Sequence, residues 1–238
     1  SDNSIDYDIL DVIEEDCDEI AELERLNYGT GEYVWNRNKE LLQSEEVENA
    51  VPLVSAVSVG PYEFTFPYSG PHPSHTRQFS LVDDGKEHIL HTEPSVLIQR
   101  TTPRKFGRRL VVATPDEEFY HQYPRYFVEN HVSYIRCSDD YGDDFVYGLT
   151  GWLNSDLVNF VFQLRSGTTH VSLFEIGILP IDVEIVRSIS SLTASVIDAR
   201  QNRAQIIQTL NRVIFDEVGL NSTHRKRIQE VLGRVEGN

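Results

Sequence analysis

An α+β fold, a mixed and strongly twisted β-sheet domain followed by a C-terminal helical region, is predicted by three observations. From Tyr28 to Arg136 the chain is a series of short apolar and β-branched runs separated by Gly and Pro, the pattern of strands and turns. Over residues 149–164 the apolar period becomes helical, with Trp152, Leu153, Leu157, Phe160, Val161 and Leu164 on one face. Beyond Asp182 every segment reads as helix. A chain of 238 residues can bury about 70% of its unfolded surface. Its 39% hydrophobic and 25% charged residues are those of a globular protein.

The elements follow in order. Residues 2–26 set Ile9, Leu10, Val12, Ile13, Ile20 and Leu23 among acids, which predicts one or two helices with Asp16 or Asp18 as an N-cap. Residues 1–27 therefore read as an acidic connector. Strands are expected at 33–35, 51–59, 62–66, 79–82, 88–90, 96–100, 110–113, 126–130 and 132–136. Residues 69–75 (SGPHPSH) form a loop, because two prolines and a glycine forbid a regular ladder there. Asp84-Gly85 signals a turn. Asn154-Ser155 reads as a helix cap, Gly167 as a helix stop, and 176–181 as a short strand or edge. The tail divides into helices at 183–201, at 203–218 ending before Gly219, and at 222–235 opened by Asn221 or Ser222, so that 182–238 forms a helical region.

Charge is unevenly spread. The formal net charge is −17, but the first 50 residues hold 16 acidic and three basic side chains, whereas the other 188 hold 22 and 18. The body is nearly neutral, and screening over about 10 Å lets a distant acidic block coexist with a basic groove. No run of apolar residues is long enough to span a membrane, and the start is acidic rather than signal-like, so a cytoplasmic protein is expected. Cys17 and Cys137 lie far apart in sequence and read as free thiols of a reducing compartment. The chain has no methionine, which reads as a piece cut from something longer.

The densest chemical signal is VLIQRTTPRKFGRRLVVA at 96–113. Two apolar runs enclose Arg100, Arg104, Lys105, Arg108 and Arg109 with no acid among them. Cations held between buried strands make a positive edge suited to a phosphate backbone; the competing reading is a solvated hairpin whose arginines pair with acids elsewhere. Arg100, at a strand exit, could reach a phosphate or a guanine edge, and Thr101 and Thr102 can donate to phosphate oxygens. Arg108 and Arg109 face opposite sides if extended, so at most one reaches DNA. Trp35 beside Arg37 and Lys39 places an apolar anchor next to two cations. Glu129-Asn130-His131 interrupts a β run; Asn130 could read adenine and His131 donate to a base, or both could satisfy backbone at a turn. The polar loop at 166–170, with Thr168, Thr169 and His170, is short enough to enter a groove.

Five phrases in order carry a resemblance: TGEYVWNRNKELL at 30–42, PLVSAVSV at 52–59, VLIQRTTPRKFGRRLVVA at 96–113, VENHVSYI at 128–135 and GLTGWLNSDLVNFVFQLRSGTTHVSLFEIGILPI at 148–181. Together they resemble the target recognition region of N6-adenine DNA methyltransferases from bacterial restriction–modification systems. The resemblance covers about 28–181 and implies a domain that reads double-stranded DNA, C-terminal to a methyltransferase domain on its own parent chain. That catalytic domain would bind S-adenosylmethionine and flip the target adenine. Such enzymes hold the flipped adenine with an Asn/Asp/Ser-Pro-Pro-aromatic tetrapeptide, and no Pro-Pro occurs here. The resemblance thus implies no cofactor and no catalytic residue in these residues. It implies a DNA-contact set of Thr30, Arg37, Lys39, Arg100, Thr101, Thr102, Arg104, Lys105, Arg108, Arg109, Asn130, His131, Thr168, Thr169 and His170.

Competing readings have weaker support. Asp84-Gly85-Lys86 with Glu63 has the outline of a metal-dependent nuclease site, but Asp-Gly is a turn signal and such a site needs its lysine on a strand. An acidic module that mimics DNA would explain the first 50 residues and not the arginine-rich hairpin. His72 with His75 and His88 with His91 lack a ligand-spaced partner for zinc. Tyr28-Gly29-Thr30-Gly31 has no hydrophobic strand feeding it as a nucleotide loop would.

Overall fold

Val96, Leu97 and Ile98 are apolar at consecutive positions because both faces of their strand are covered. Val96 and Ile98 enter one core and Leu97 enters another, as alternation along a strand requires. The computed structural model describes residues 2–70, 77–102, 107–166 and 170–233. Expectations at His72, His75, Arg104, Lys105, Thr168 and Thr169 lie outside the described residues.

The chain opens with α1 (Asp2–Asp16), β1 (Asp18–Glu19) and β2 (Leu26–Thr30), then β3 (Leu42–Gln43), β4 (Ala50–Val54), β5 (Val59–Gly60), β6 (Glu63–Phe64) and β7 (Phe79–Leu81). It continues through β8 (Ser95–Gln99), β9 (Val112–Ala113), α2 (Glu117–Gln122), β10 (Phe127–Val128) and β11 (Val132–Cys137). The remainder is α3 (Phe145–Asn154), α4 (Asp156–Arg165), α5 (Leu173–Gly177), β12 (Pro180–Ile181), α6 (Val183–Ser188), α7 (Ser190–Asp198), α8 (Arg203–Glu217) and α9 (Ser222–Val231). The fold is α+β, with the strands concentrated before α3 and the helices after β11. Two four-stranded sheets dominate, one antiparallel in the order β2-β11-β8-β9 and one mixed in the order β10-β4-β7-β3, where β10 and β4 run parallel.

The antiparallel sheet separates two apolar clusters. On one face Val96, Ile98, Val112 and Ile135 pack with Trp152, Leu157 and Phe160 of α3 and α4, and with Ile9 and Ile13 of α1 and Leu210 and Ile228 of the tail. On the other, Leu97, Ala113, Val132 and Tyr134 meet Phe119, Tyr126, Val54 and Val59. A third cluster of Tyr33, Leu42, Val51, Leu53 and Phe127 lies within the mixed sheet. Gly148 and Gly151 let α3 approach closely, since a Cβ there would collide with the Val186 carbonyl and the Thr193 side chain.

Several boundaries differ from the sequence reading. The helix expected over 149–164 is two helices that meet at Ser155, whose extended backbone breaks the first and whose hydroxyl caps the second by accepting from Val158 N–H. The strand expected over 176–181 is confined to Pro180–Ile181, which pairs with β1, because the reciprocal capping box of Ser172 and Glu175 opens a helix that runs to Gly177. Residues 87–89 form a 3-10 turn, and α1 ends at Asp16 rather than starting near it. The predicted cap Asn221 opens α9 by accepting from Thr223 and His224 N–H.

The junction of α3 and α4 grips the second limb of the basic hairpin. Asn159 Oδ1 accepts from the backbone N–H groups of Arg109 and Leu110 (3.2 and 3.0 Å), and its amide donates to the Leu153 and Ser155 carbonyls. Asn154 donates to the Val112 carbonyl at 2.7 Å and to the Thr150 carbonyl at 3.0 Å. Both asparagines are fully buried, so they satisfy backbone groups that no neighbouring strand reaches.

Candidate nucleic-acid interface

Arg108 departs from the expected cationic edge. Its guanidinium donates to the Asn154 carbonyl and side-chain oxygen (3.0 and 3.1 Å) and lies over the Tyr62 ring, and burial lowers its pKa. It satisfies the buried C-terminal end of α3, where the last carbonyls lack helical partners. Arg109 is half-buried over Phe162, and its carbonyl accepts from the hydroxyl of Thr102, buried on the facing limb. This limb of the hairpin therefore turns its polar groups inward.

The other limb leads outward. Arg100 leaves β8 with its backbone N–H bonded to the His131 carbonyl at 3.0 Å, and its guanidinium donates to the Asn130 carbonyl at 2.8 Å. A second guanidinium nitrogen lies 3.0 Å from His170 Nε2. Arginine can only donate, so Nε2 accepts and the imidazole proton sits on Nδ1, 3.4 Å from the Thr101 hydroxyl. Arg100, Thr101 and His170, distant in sequence, are thus joined in one polar cluster. Asn130 contributes its backbone there, while its side-chain oxygen is buried without a hydrogen bond.

The segment after Thr30 is strapped to the same place. Thr30 pairs with Ser133 at the end of β2, and Gly31 passes so close to the Val128 and Glu129 carbonyls that any Cβ would clash. Tyr33 is buried, exchanges backbone bonds with Val128 and Asn130, packs its ring tilted against Phe127 with centres 4.9 Å apart, and shares a 2.6 Å hydrogen bond with Ser80. That anchor fixes the 3-10 turn Trp35–Arg37. Arg37 and Lys39 are exposed, Lys39 lies 5.8 Å from the Trp35 ring centre, and Arg77 donates to the Lys39 carbonyl.

Between these segments opens a cleft of about 550 Å3. Trp35, Leu42, Leu53 and Ala56 form its apolar wall, with Lys39, Arg77, Gln78, Thr101, Glu129 and His131 around them. Glu129 is 4% exposed, and burial raises its pKa against the opposing pull of His131 and Arg100. His131 is exposed and bonds Glu129 through Nδ1, leaving Nε2 as its remaining polar atom.

The structure brings together Lys39, Thr101 and His131 in one cleft, with Arg100 and His170 beside it. Arg77, Gln78 and Glu129 were missed as site residues. Arg77 and Gln78 follow a Pro-rich loop with nothing in their own sequence to mark them, whereas an acid inside a β run was a usable signal for Glu129. Of the nuclease-like outline, Lys86 pairs with Asp83 at 2.8 Å and Glu63 with Arg203 at 3.0 Å. Among the described residues no helix is long and apolar enough to cross a membrane.

No protein-family model matches the chain, and no curated protein matches its sequence. Among solved structures it is similar to the type IIG restriction endonuclease BpuSI, with 12% identity over 90% of this chain and 33% of that one and a TM-score of 0.46. It is also similar to the HsdS subunit from Thermoanaerobacter tengcongensis, with 9% identity over 91% and 51% of the two chains and a TM-score of 0.39. The S subunit of a type I restriction-modification system from M. genitalium has 11% identity over 100% and 53%, with a TM-score of 0.41. The chain thus spans between a third and about half the length of these structures.

Proposed function

We propose that this chain is a sequence-specific recognition domain for double-stranded DNA, of the kind that directs a restriction–modification enzyme to its site. The observation that carries this reading is the convergence of Lys39, Arg77, Arg100, Thr101, His131 and His170, from five sequence segments, at or beside one cleft. Backbone-anchored cations beside hydrogen-bonding side chains supply the two components of DNA recognition, phosphate contacts that position and polar groups that read base edges. The block of negative charge at the N-terminus does not oppose this. Much of it is carried by α1, which packs on α9 and pairs Asp6 with Arg227 at 2.7 Å and Glu14 with Arg165 at 2.9 Å.

The sequence resemblance supports a finer reading, in which the domain serves an N6-adenine methyltransferase. S-adenosylmethionine and the flipped adenine would be held by a methyltransferase domain N-terminal to this one on the parent chain. The present residues would grip flanking phosphates and base pairs as one wall of a groove. With the second wall absent, the isolated chain binds duplex only modestly.

The test is selection of bound sequences from a randomised duplex pool, followed by anisotropy titrations of the winner across salt concentrations. Enrichment of one short sequence, with affinity falling linearly in log–log form as salt rises, is expected. A pool that stays random, or binding indifferent to salt, overturns the reading. Nanomolar binding by the isolated chain in moderate salt would remove the two-wall picture.

A further inference from the structure

We infer that the cleft between Trp35 and Glu129 receives a single unpaired nucleotide whose base carries an exocyclic amino group, as cytosine, adenine and guanine do and thymine does not. The inference rests on the duplex-binding reading and adds an occupant to its cleft. Three features meet there that a groove-facing surface by itself does not need. The volume of about 550 Å3 is that of a small-molecule site, roughly 300–1,000 Å3, rather than of a shallow contact face. An indole lines it, half-buried and steadied by the Tyr33 anchor two residues earlier, as a plane on which a base can stack. A carboxylate lies at its buried side.

Glu129 gives the site its chemical preference. Held by His131, the carboxylate accepts hydrogen bonds, so it pairs with the N4 amino group of cytosine, the N6 amino group of adenine or the N1–H and N2 amino group of guanine, whereas thymine offers it only N3–H between two carbonyls. His131 holds one oxygen of this carboxylate through Nδ1, which orients the group and leaves its other acceptor sites for a ligand. Lys39 and Arg77 also line the cleft, adjoining each other through the Arg77 bond to the Lys39 carbonyl, and together suit the nucleotide's phosphate. A base plane, an edge acceptor and a phosphate pair are the three contacts that a nucleotide out of its stack demands.

The chain provides its own reporter. Its other tryptophan, Trp152, is fully buried and donates to the Pro180 carbonyl at 2.7 Å, so quenching by a soluble ligand reads Trp35. The intact chain is titrated with dCMP, dAMP and dTMP while tryptophan emission is followed. A duplex with one unpaired cytosine is compared with its fully paired parent by anisotropy. Binding of dCMP or dAMP is expected to be roughly tenfold tighter than that of dTMP, the discrimination of one good base-edge contact. The bulged duplex is expected to bind several-fold tighter than the paired one. Glu129→Gln, whose amide both donates and accepts, should erase both preferences, and Trp35→Phe should remove the quenching signal while retaining the bulge preference. Equal quenching by all three nucleotides, no quenching, or equal affinity for bulged and paired duplexes overturns the inference. Salt-dependent binding of the paired duplex in those same experiments leaves the recognition reading standing. Its absence alongside intact dCMP preference would remove that reading and spare the nucleotide cleft.

Discussion

Arg108 and Arg100 flank the same hairpin, eight residues apart, and the fold assigns them opposite tasks. Arg108 is drawn under Tyr62 onto the end of α3, where its charge serves packing. Arg100 is held at the other limb by backbone carbonyls and His170, with Thr101 and the cleft beside it. The difference comes from Asn154 and Asn159, which pin one limb against a helix junction, while the other limb is held by backbone bonds to His131 and Val171. A cluster of like residues in sequence is therefore not a surface, because each guanidinium follows the backbone constraint of its own limb.

The contrast between buried and displayed polar groups can be broken most forcefully through histidine. His91 is buried between Tyr126 and Tyr134 beside Arg136, and burial foremost, with the Arg136 charge, pushes its pKa down to about 3. Above the ordinary histidine value of 6.5 the ring is neutral in folded and unfolded chains alike. As pH falls from there toward 3 the unfolded chain binds a proton that the folded chain refuses, so stability is lost across that window. The loss reaches on the order of 4 kcal/mol. Urea unfolding between pH 7 and pH 3 should show a shallower acid decline in His91→Gln than in the native chain; parallel declines would refute this origin.

Removing the clamp tests the inner limb next. Asn159→Ala leaves the N–H groups of Arg109 and Leu110 buried without an acceptor and should lower stability by about 3 kcal/mol. Asn159→Asp restores the acceptor but buries a charge, so it should not rescue the loss. Equilibrium denaturation of both variants measures this, and a change within error for Asn159→Ala would show that the limb is held by other contacts.

Arg108→Ala should cost about 2 kcal/mol through two lost hydrogen bonds and the uncovered Tyr62, with less than a twofold change in duplex affinity measured where the variant is folded. Arg37→Ala should do the reverse. Its exposed side chain makes stability shift by no more than about 0.5 kcal/mol, while duplex affinity falls and the log–log salt slope drops by roughly 0.9, one phosphate contact. Swapped outcomes for the pair would invert the assignment of the two limbs.

Much of the architecture was legible. An apolar run located β8, a β-branched and aromatic run located β11, polar caps located Ser155 and Asn221, and the change of period located the helical half. Errors fell where local patterns compete. Ser155 can end one helix as readily as begin another, and the helix opened by the Ser172–Glu175 capping box took the first residues of the run at 176–181, leaving its end as strand. The site was legible in part, since Trp35, Lys39, Arg100, Thr101, His131 and His170 each stand out by residue type beside a strand end or turn.

By itself the sequence determined the fold class, the separation of an acidic start from a nearly neutral body, and a set of polar residues at strand exits, because these depend on periodicity and local backbone chemistry. Only the tertiary structure decided that Arg108 faces inward, that Arg77 and Glu129 join Trp35 around one cleft, and that His170 meets Arg100 across 70 residues of chain. The physical reason is that alternation along a strand specifies which side chains share a face. It does not specify which distant segment, with its own hydrogen-bonding groups, will cover that face.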